Sequence, residues 1–414
     1  MNKTWILLSL FNFLVAAVMG LVLRGAFVWE INWMDYRNLM HGHSHVAMLG
    51  WVYLALYILI GHHFIPKEKW EKPVYSRLFW FTQVTVLGMM ISFPAQGYGA
   101  VSITFSTLHI LASYVFCYRV WKDHQVRVPE TALILKTALV LMVISTIGVW
   151  SLGPLTLSGG RSSTLYQLAI QFYLHFQFHG WFTLAVLALL LNRLATSSTF
   201  RWPQFKSFYS ILLLSVVLTY GLVLSWGYGG TSPHIVNGLG LIFQVLALLM
   251  FLKLIRTAGL GFFHRSSPSA RAFFRFGIVS WVFKIAIQTF VLIPSVAVIS
   301  FTLRTLMIGF IHLTMLGFIS GLLFALILGA GSKLPEYFWV QSGRVAFITG
   351  FLVTELLLFS QGLSYWLQWG QIPAFYEIMF YASILLPVSV VALGAHINKY
   401  LNVNINQSDP VKIN

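Results

Sequence analysis

Three segments of this 414-residue chain carry the same arrangement: a histidine, four residues, a glycine and a large aromatic. They read His45-Val-Ala-Met-Leu-Gly50-Trp51, His175-Phe-Gln-Phe-His-Gly180-Trp181 and His312-Leu-Thr-Met-Leu-Gly317-Phe318. Each lies in apolar sequence, where an imidazole is desolvated at a cost and calls for a partner. On a single helix this pattern would be a packing detail, with glycine allowing close approach; three copies argue for ligands. Few carboxylates accompany them. Glu30, Asp35 and Glu377 fall at predicted helix ends, and Glu355 is the one acid deep in an apolar run. Nitrogen donors without carboxylates suit haem iron or copper better than magnesium, calcium or manganese. His175 and His179 stand at i and i+4, on one helical face, and can chelate one metal. In His41-x-His43-x-His45, neighbours at i and i+2 diverge by about 200°. His45 is therefore taken as the ligand, with His41 and His43 at the mouth of the helix, and His109 is read as structural.

The elements holding these residues follow from composition. The chain is 58% hydrophobic and 9% charged, with a mean hydropathy of +0.80. Soluble domains carry about 25% charged residues, so this chain cannot clothe a water-facing surface. Its single cysteine, Cys117, excludes covalent Cys-x-x-Cys-His haem attachment and thiolate clusters. The expected fold class is all-α, a polytopic membrane protein. Apolar runs of spanning length are expected at 4–26, 39–61, 77–97, 101–121, 132–153, 165–192, 208–227, 235–255, 274–295, 304–329, 344–366 and 373–396. The first is read as a retained helix, since no small-residue cleavage site follows it.

The net charge of +16 is explained by its placement. Twenty-one of the 26 Lys and Arg fall at the termini or in alternate connections, around Lys67–Arg77, Arg119–Lys136, Arg193–Lys206, Lys253–Arg275 and Lys333–Arg344. The opposite side has only Arg24, Arg37, Arg161 and Arg304, and Lys284 lies within a span. The positive-inside rule then places both termini in the cytoplasm, with a bacterial inner membrane as the expected location. Nucleic acid is not needed as a partner; the lipid bilayer is. Eight histidines fall in the outer half: His41, His43, His45, His109, His175, His179, His234 and His312. His62, His63, His124, His264 and His396 fall near the cytoplasmic ends and are read as interfacial.

His175 follows His45 by 130 residues and His312 follows His175 by 137, about four helices each. A single membrane domain is expected, built from three pseudo-symmetric four-helix units near 1–125, 126–260 and 261–398, with a short tail at 399–414. The repeated histidines then occupy helices 2, 6 and 10 at equal depth.

This constellation resembles the haem–copper oxidase catalytic-subunit superfamily, which has twelve helices in three four-helix arcs. The resemblance implies that His45 and His312 sandwich a low-spin haem b. It also implies that His175 or His179, with His234 in Thr-Ser-Pro-His, holds copper. Helix 10 has one His where the oxidases have two, the helix 7 site has one where they have an adjacent pair, and His179 stands where they have a Tyr or acid. This reduced pattern is more similar to the small twelve-helix NnrS-like haem–copper proteins linked to nitric oxide tolerance. Arg37 and Arg304 are the expected propionate partners, ahead of Arg24 and Arg161. Lys284 and Glu355 either pair or, for Lys284, snorkel. The implied activity is binding or reduction of NO or O2, or electron transfer, with quinol or another membrane donor supplying electrons. The competing readings are a twelve-helix transporter or metal importer, and a non-catalytic haem sensor or assembly partner.

Overall fold

Hydrocarbon offers no hydrogen bonds, so a chain this apolar must satisfy its backbone within helices. The computed structural model describes residues 1–126, 128–194, 202–257, 266–329 and 336–401, and among them there are helices and no strands. Arg127, Arg201, His264, Arg265, Lys333, Lys412 and most of the expected tail (402–414) lie outside the described residues.

Among the described residues twelve helices are long and apolar enough to cross a membrane, and the protein is a multi-pass membrane protein. They are α1 (Lys3–Gly25), α2 (Tyr36–Phe64), α3 (Pro73–Gln96), α4 (Ala100–Asp123), α5 (Pro129–Gly159), α6 (Thr164–Leu194), α7 (Phe205–Tyr228), α8 (Thr231–Thr257), α9 (Pro268–Leu292), α10 (Arg304–Gly329), α11 (Phe338–Trp366) and α12 (Phe375–Lys399). The expected spans match them in number and order. The largest differences are at the end of α5 (153 expected) and the starts of α9 (274 expected) and α11 (344 expected). Helix starts carry the usual chemistry. Asn2, Asp35, Ser163 and Ser267 cap α1, α2, α6 and α9 through their side chains, and Pro73, Pro129 and Pro268 open α3, α5 and α9. A short helix, Pro294–Thr302, joins α9 to α10.

Helices α2, α6 and α10 form the centre: 78%, 94% and 83% of their apolar stretches are buried, against 39–50% for the other nine. Their C-terminal halves pack on one another, and the Trp51 indole of α2 donates to the Ser320 hydroxyl of α10 at 2.8 Å. The motif glycines bring each central helix against its neighbours. A Cβ on Gly50 would lie 2.9 Å from Val86 and 3.0 Å from Asn12; on Gly180, 3.0 Å from Leu141; on Gly317, 2.7 Å from Phe351.

Each central helix is broken in the same place. A π-helical segment runs Val46–Val52 in α2, Phe176–Phe182 in α6 and Leu313–Ser320 in α10, starting one residue after the aligned histidine. The polar side chains nearby stabilise these turns. The Thr183 hydroxyl donates to the Phe178 carbonyl and the Ser320 hydroxyl to the Met315 carbonyl, both at 2.7 Å and both five residues back. In α2 the Gly50 carbonyl accepts from the Asn12 amide at 3.0 Å, and Asn12 is held by paired hydrogen bonds with Gln83.

Burial changes at the same level. Leu49–Gly61 and His175–Leu191 are wholly buried, as is Leu313–Gly329 apart from Leu316. The N-terminal halves of the three helices are mostly half-exposed. The centre is closed on one side and loosened on the other, and the repeated histidines mark the boundary.

Candidate functional site

Each repeated histidine turns toward the next spanning helix along the chain. The His45 ring stacks on Phe93 of α3, centroids 4.1 Å apart. His175 Nε2 donates to the Val216 carbonyl of α7 at 2.7 Å. His312 Nδ1 lies 3.7 Å from Glu355 Oε1 of α11. The three rings therefore enter three different interhelical sectors.

The expected partner of His312 on α2, His45, thus faces α3. The α2 imidazole on the His312 side is His43, which was read as a mouth residue; it lies within electrostatic reach of His312. His43 Nδ1 donates to the Ala16 carbonyl of α1 at 2.8 Å, and its ring packs on Gly20, where a Cβ would come within 2.9 Å of Cε1. His45 Nδ1 donates to the carbonyl of His41 at 2.9 Å. In both rings the nitrogen facing a carbonyl must carry the proton, so Nε2 keeps its lone pair.

The sector around His312 is the most polar. Arg24 of α1 donates to the Ser383 hydroxyl of α12 and lies within electrostatic reach of Glu355, Tyr36, His43 and His312. Both Glu355 carboxylate oxygens and His312 Nδ1 are buried without a hydrogen-bond partner among the described residues. Arg304 donates to Met40 Sδ and sits 5.8 Å over the Tyr36 ring, joining the starts of α10 and α2. Arg37, at the start of α2, is exposed, as is Arg161. Arg24 is thus better placed than Arg37 to meet an anionic group. Its position near the end of α1 gave no sign of this, because its neighbours come from α11 and α12.

In the second sector His45 is joined by His41, His109 and Tyr98. The Tyr98 ring lies 4.7 Å from His41 and 5.9 Å from His45. Tyr98 sits in the α3–α4 connection, where burial pushes its hydroxyl up to about 12, keeping it a proton donor at neutral pH. The third sector holds His175 and His179, rings 4.8 Å apart, with Lys284 Nζ 3.0 Å from His179 Nδ1.

The expected copper set is not assembled. His234 lies in the first turn of α8, not in a connection, and its Nε2 donates to the Leu292 carbonyl at 2.9 Å. Among the described residues no three His, Cys, Asp or Glu side chains gather as a metal site. Nor do Lys284 and Glu355 pair: Lys284 meets His179, and Glu355 faces His312. No protein-family model matches the chain, and no curated protein sequence is detectably similar to it.

Proposed function

We propose that this is a bacterial inner-membrane protein, both termini cytoplasmic, that holds a b-type haem where α2, α6 and α10 loosen and there binds or reduces NO or O2. One observation carries the reading: three π-helical turns, each starting directly after an aligned histidine, at the level where the centre opens. π segments are rare and cluster at functional sites, and three in register are costly to keep without a use.

The donor chemistry supports a haem. Ligating histidines donate their second ring nitrogen to a carbonyl or carboxylate. His43 and His45 turn Nδ1 to carbonyls, and His312 turns Nδ1 toward Glu355. Unpartnered polar atoms beside Arg24 are what a polar prosthetic group would satisfy. A bound haem would supply an iron able to take a diatomic gas or to pass electrons. His312 and either His43 or His45 would hold the iron. Glu355 would orient His312 and raise its basicity, and Arg24 and Arg304 would face the propionates. Electrons would come from quinol or another membrane donor. Copper is less well supported, since among the described residues no three His, Cys, Asp or Glu side chains gather as a metal site.

Detergent-purified protein is expected to show a Soret band that shifts on reduction and a b-type pyridine haemochrome. His312→Ala should lose this haem, and His43→Ala set beside His45→Ala identifies the partner on α2. Colourless protein from haem-replete cells, or unchanged spectra in all three variants, overturns the reading; colourless protein favours a transporter. Reductant-dependent consumption of NO then separates an enzyme from a sensor.

A further inference from the structure

The third sector contains a buried lysine that meets no acidic residue among the described residues. Lys284 is 2% exposed, so its ammonium does not reach the membrane boundary. Its Nζ meets His179 Nδ1 at 3.0 Å and lies 5.7 Å from the centre of the Phe310 ring. No ion pair among the described residues includes Lys284. Of the ten acidic residues in the chain, only Glu355 lies deep in a span, and it faces His312. An ammonium has three N–H groups, and one protein acceptor is in place.

Two further polar groups are buried around it. Gln288, one turn along α9 from Lys284, is 6% exposed, and its Oε1 has no partner. An amide can meet a ligand through either its oxygen or its NH2. His175 is 7% exposed and adjoins His179. Lys284, an unsatisfied amide one helical turn away and two imidazoles are buried among apolar helices; in its ammonium form Lys284 would call for a negative charge there, since desolvated cations are kept in membranes by pairing.

We propose that Lys284, with Gln288 and His179, binds a small inorganic monoanion between α6, α9 and α10. The site is distinct from the residues assigned to haem and does not depend on that assignment.

Bromide is the probe, titrated against gluconate at constant ionic strength while thermal unfolding of the detergent-solubilised full chain is followed. A ligand that binds the native state raises the midpoint saturably. The wild-type midpoint is expected to rise and level off, and Lys284→Met is expected to need at least tenfold more bromide or to show no rise. Lys284→Met should fold, since an apolar replacement of similar volume removes a buried charge. His312→Ala should keep the response, which separates failure of this site from failure of the haem reading. Crystals of the wild-type protein soaked in bromide provide a test without a variant: anomalous density is expected against Lys284 Nζ. Its absence there, a wild-type midpoint that does not saturate, or an equal rise in Lys284→Met overturns the proposal.

Discussion

Arg24 and Glu355 are separated by most of the sequence, yet they share one sector beside His312 and His43. Removing one member of a buried charged set leaves the other uncompensated, at a cost of about 3–5 kcal/mol, whereas removing both together is often near neutral. Arg24→Met is therefore expected to destabilise by about 3 kcal/mol, and Arg24→Met with Glu355→Gln to recover most of that loss. Chemical unfolding in detergent checks this, and strictly additive losses would show that the two groups do not interact. At this scale the sequence was only partly readable. It marked the histidines and Glu355 as unusual through their apolar surroundings, but the choice between His43 and His45 depended on facing helices. The 200° between them fixed only that they point apart. His43 gained its place from Ala16 and Gly20, both on α1.

At the scale of the element, the π segments are the feature that hydropathy could not reveal. Widening one turn leaves composition and length nearly unchanged, so the spans were legible and their interruptions were not. Looking back, the signal is a hydroxyl eight residues after the histidine, at Thr183 and Ser320, reaching a carbonyl five residues back. Thr183→Ala removes one such bond and is expected to cost about 1 kcal/mol. Ser320→Ala removes the same bond and also strands the buried Trp51 indole N–H, so about 2–4 kcal/mol is expected, the bond plus one desolvated donor. Thermal unfolding of the two variants side by side measures the difference. Equal losses would mean that the contact between α2 and α10 adds nothing to holding the π turn.

For the whole molecule, the question is which membrane face the loosened half of the centre meets. Helices α2, α6 and α10 run parallel, since each is separated from the next by three spans, so their N-terminal ends share a side. Basic residues crowd the other side, and the proposed orientation, argued from the positive-inside rule, has the loosened half outside the cytoplasm. The single native cysteine makes this testable, because Cys117 is buried in α4 and should not react. Cysteine introduced at Ser162, in the α5–α6 connection beside exposed Arg161, is expected to be labelled in intact spheroplasts by a membrane-impermeant maleimide. Cysteine at Glu68, between α2 and α3 among Lys67, Lys69 and Lys72, should be labelled only after permeabilisation. The reversed pattern would put the histidines at the cytoplasmic end of the bundle. A haem there would face cytoplasmic reductants, and the proposed delivery of electrons from a membrane donor would lose its geometric basis.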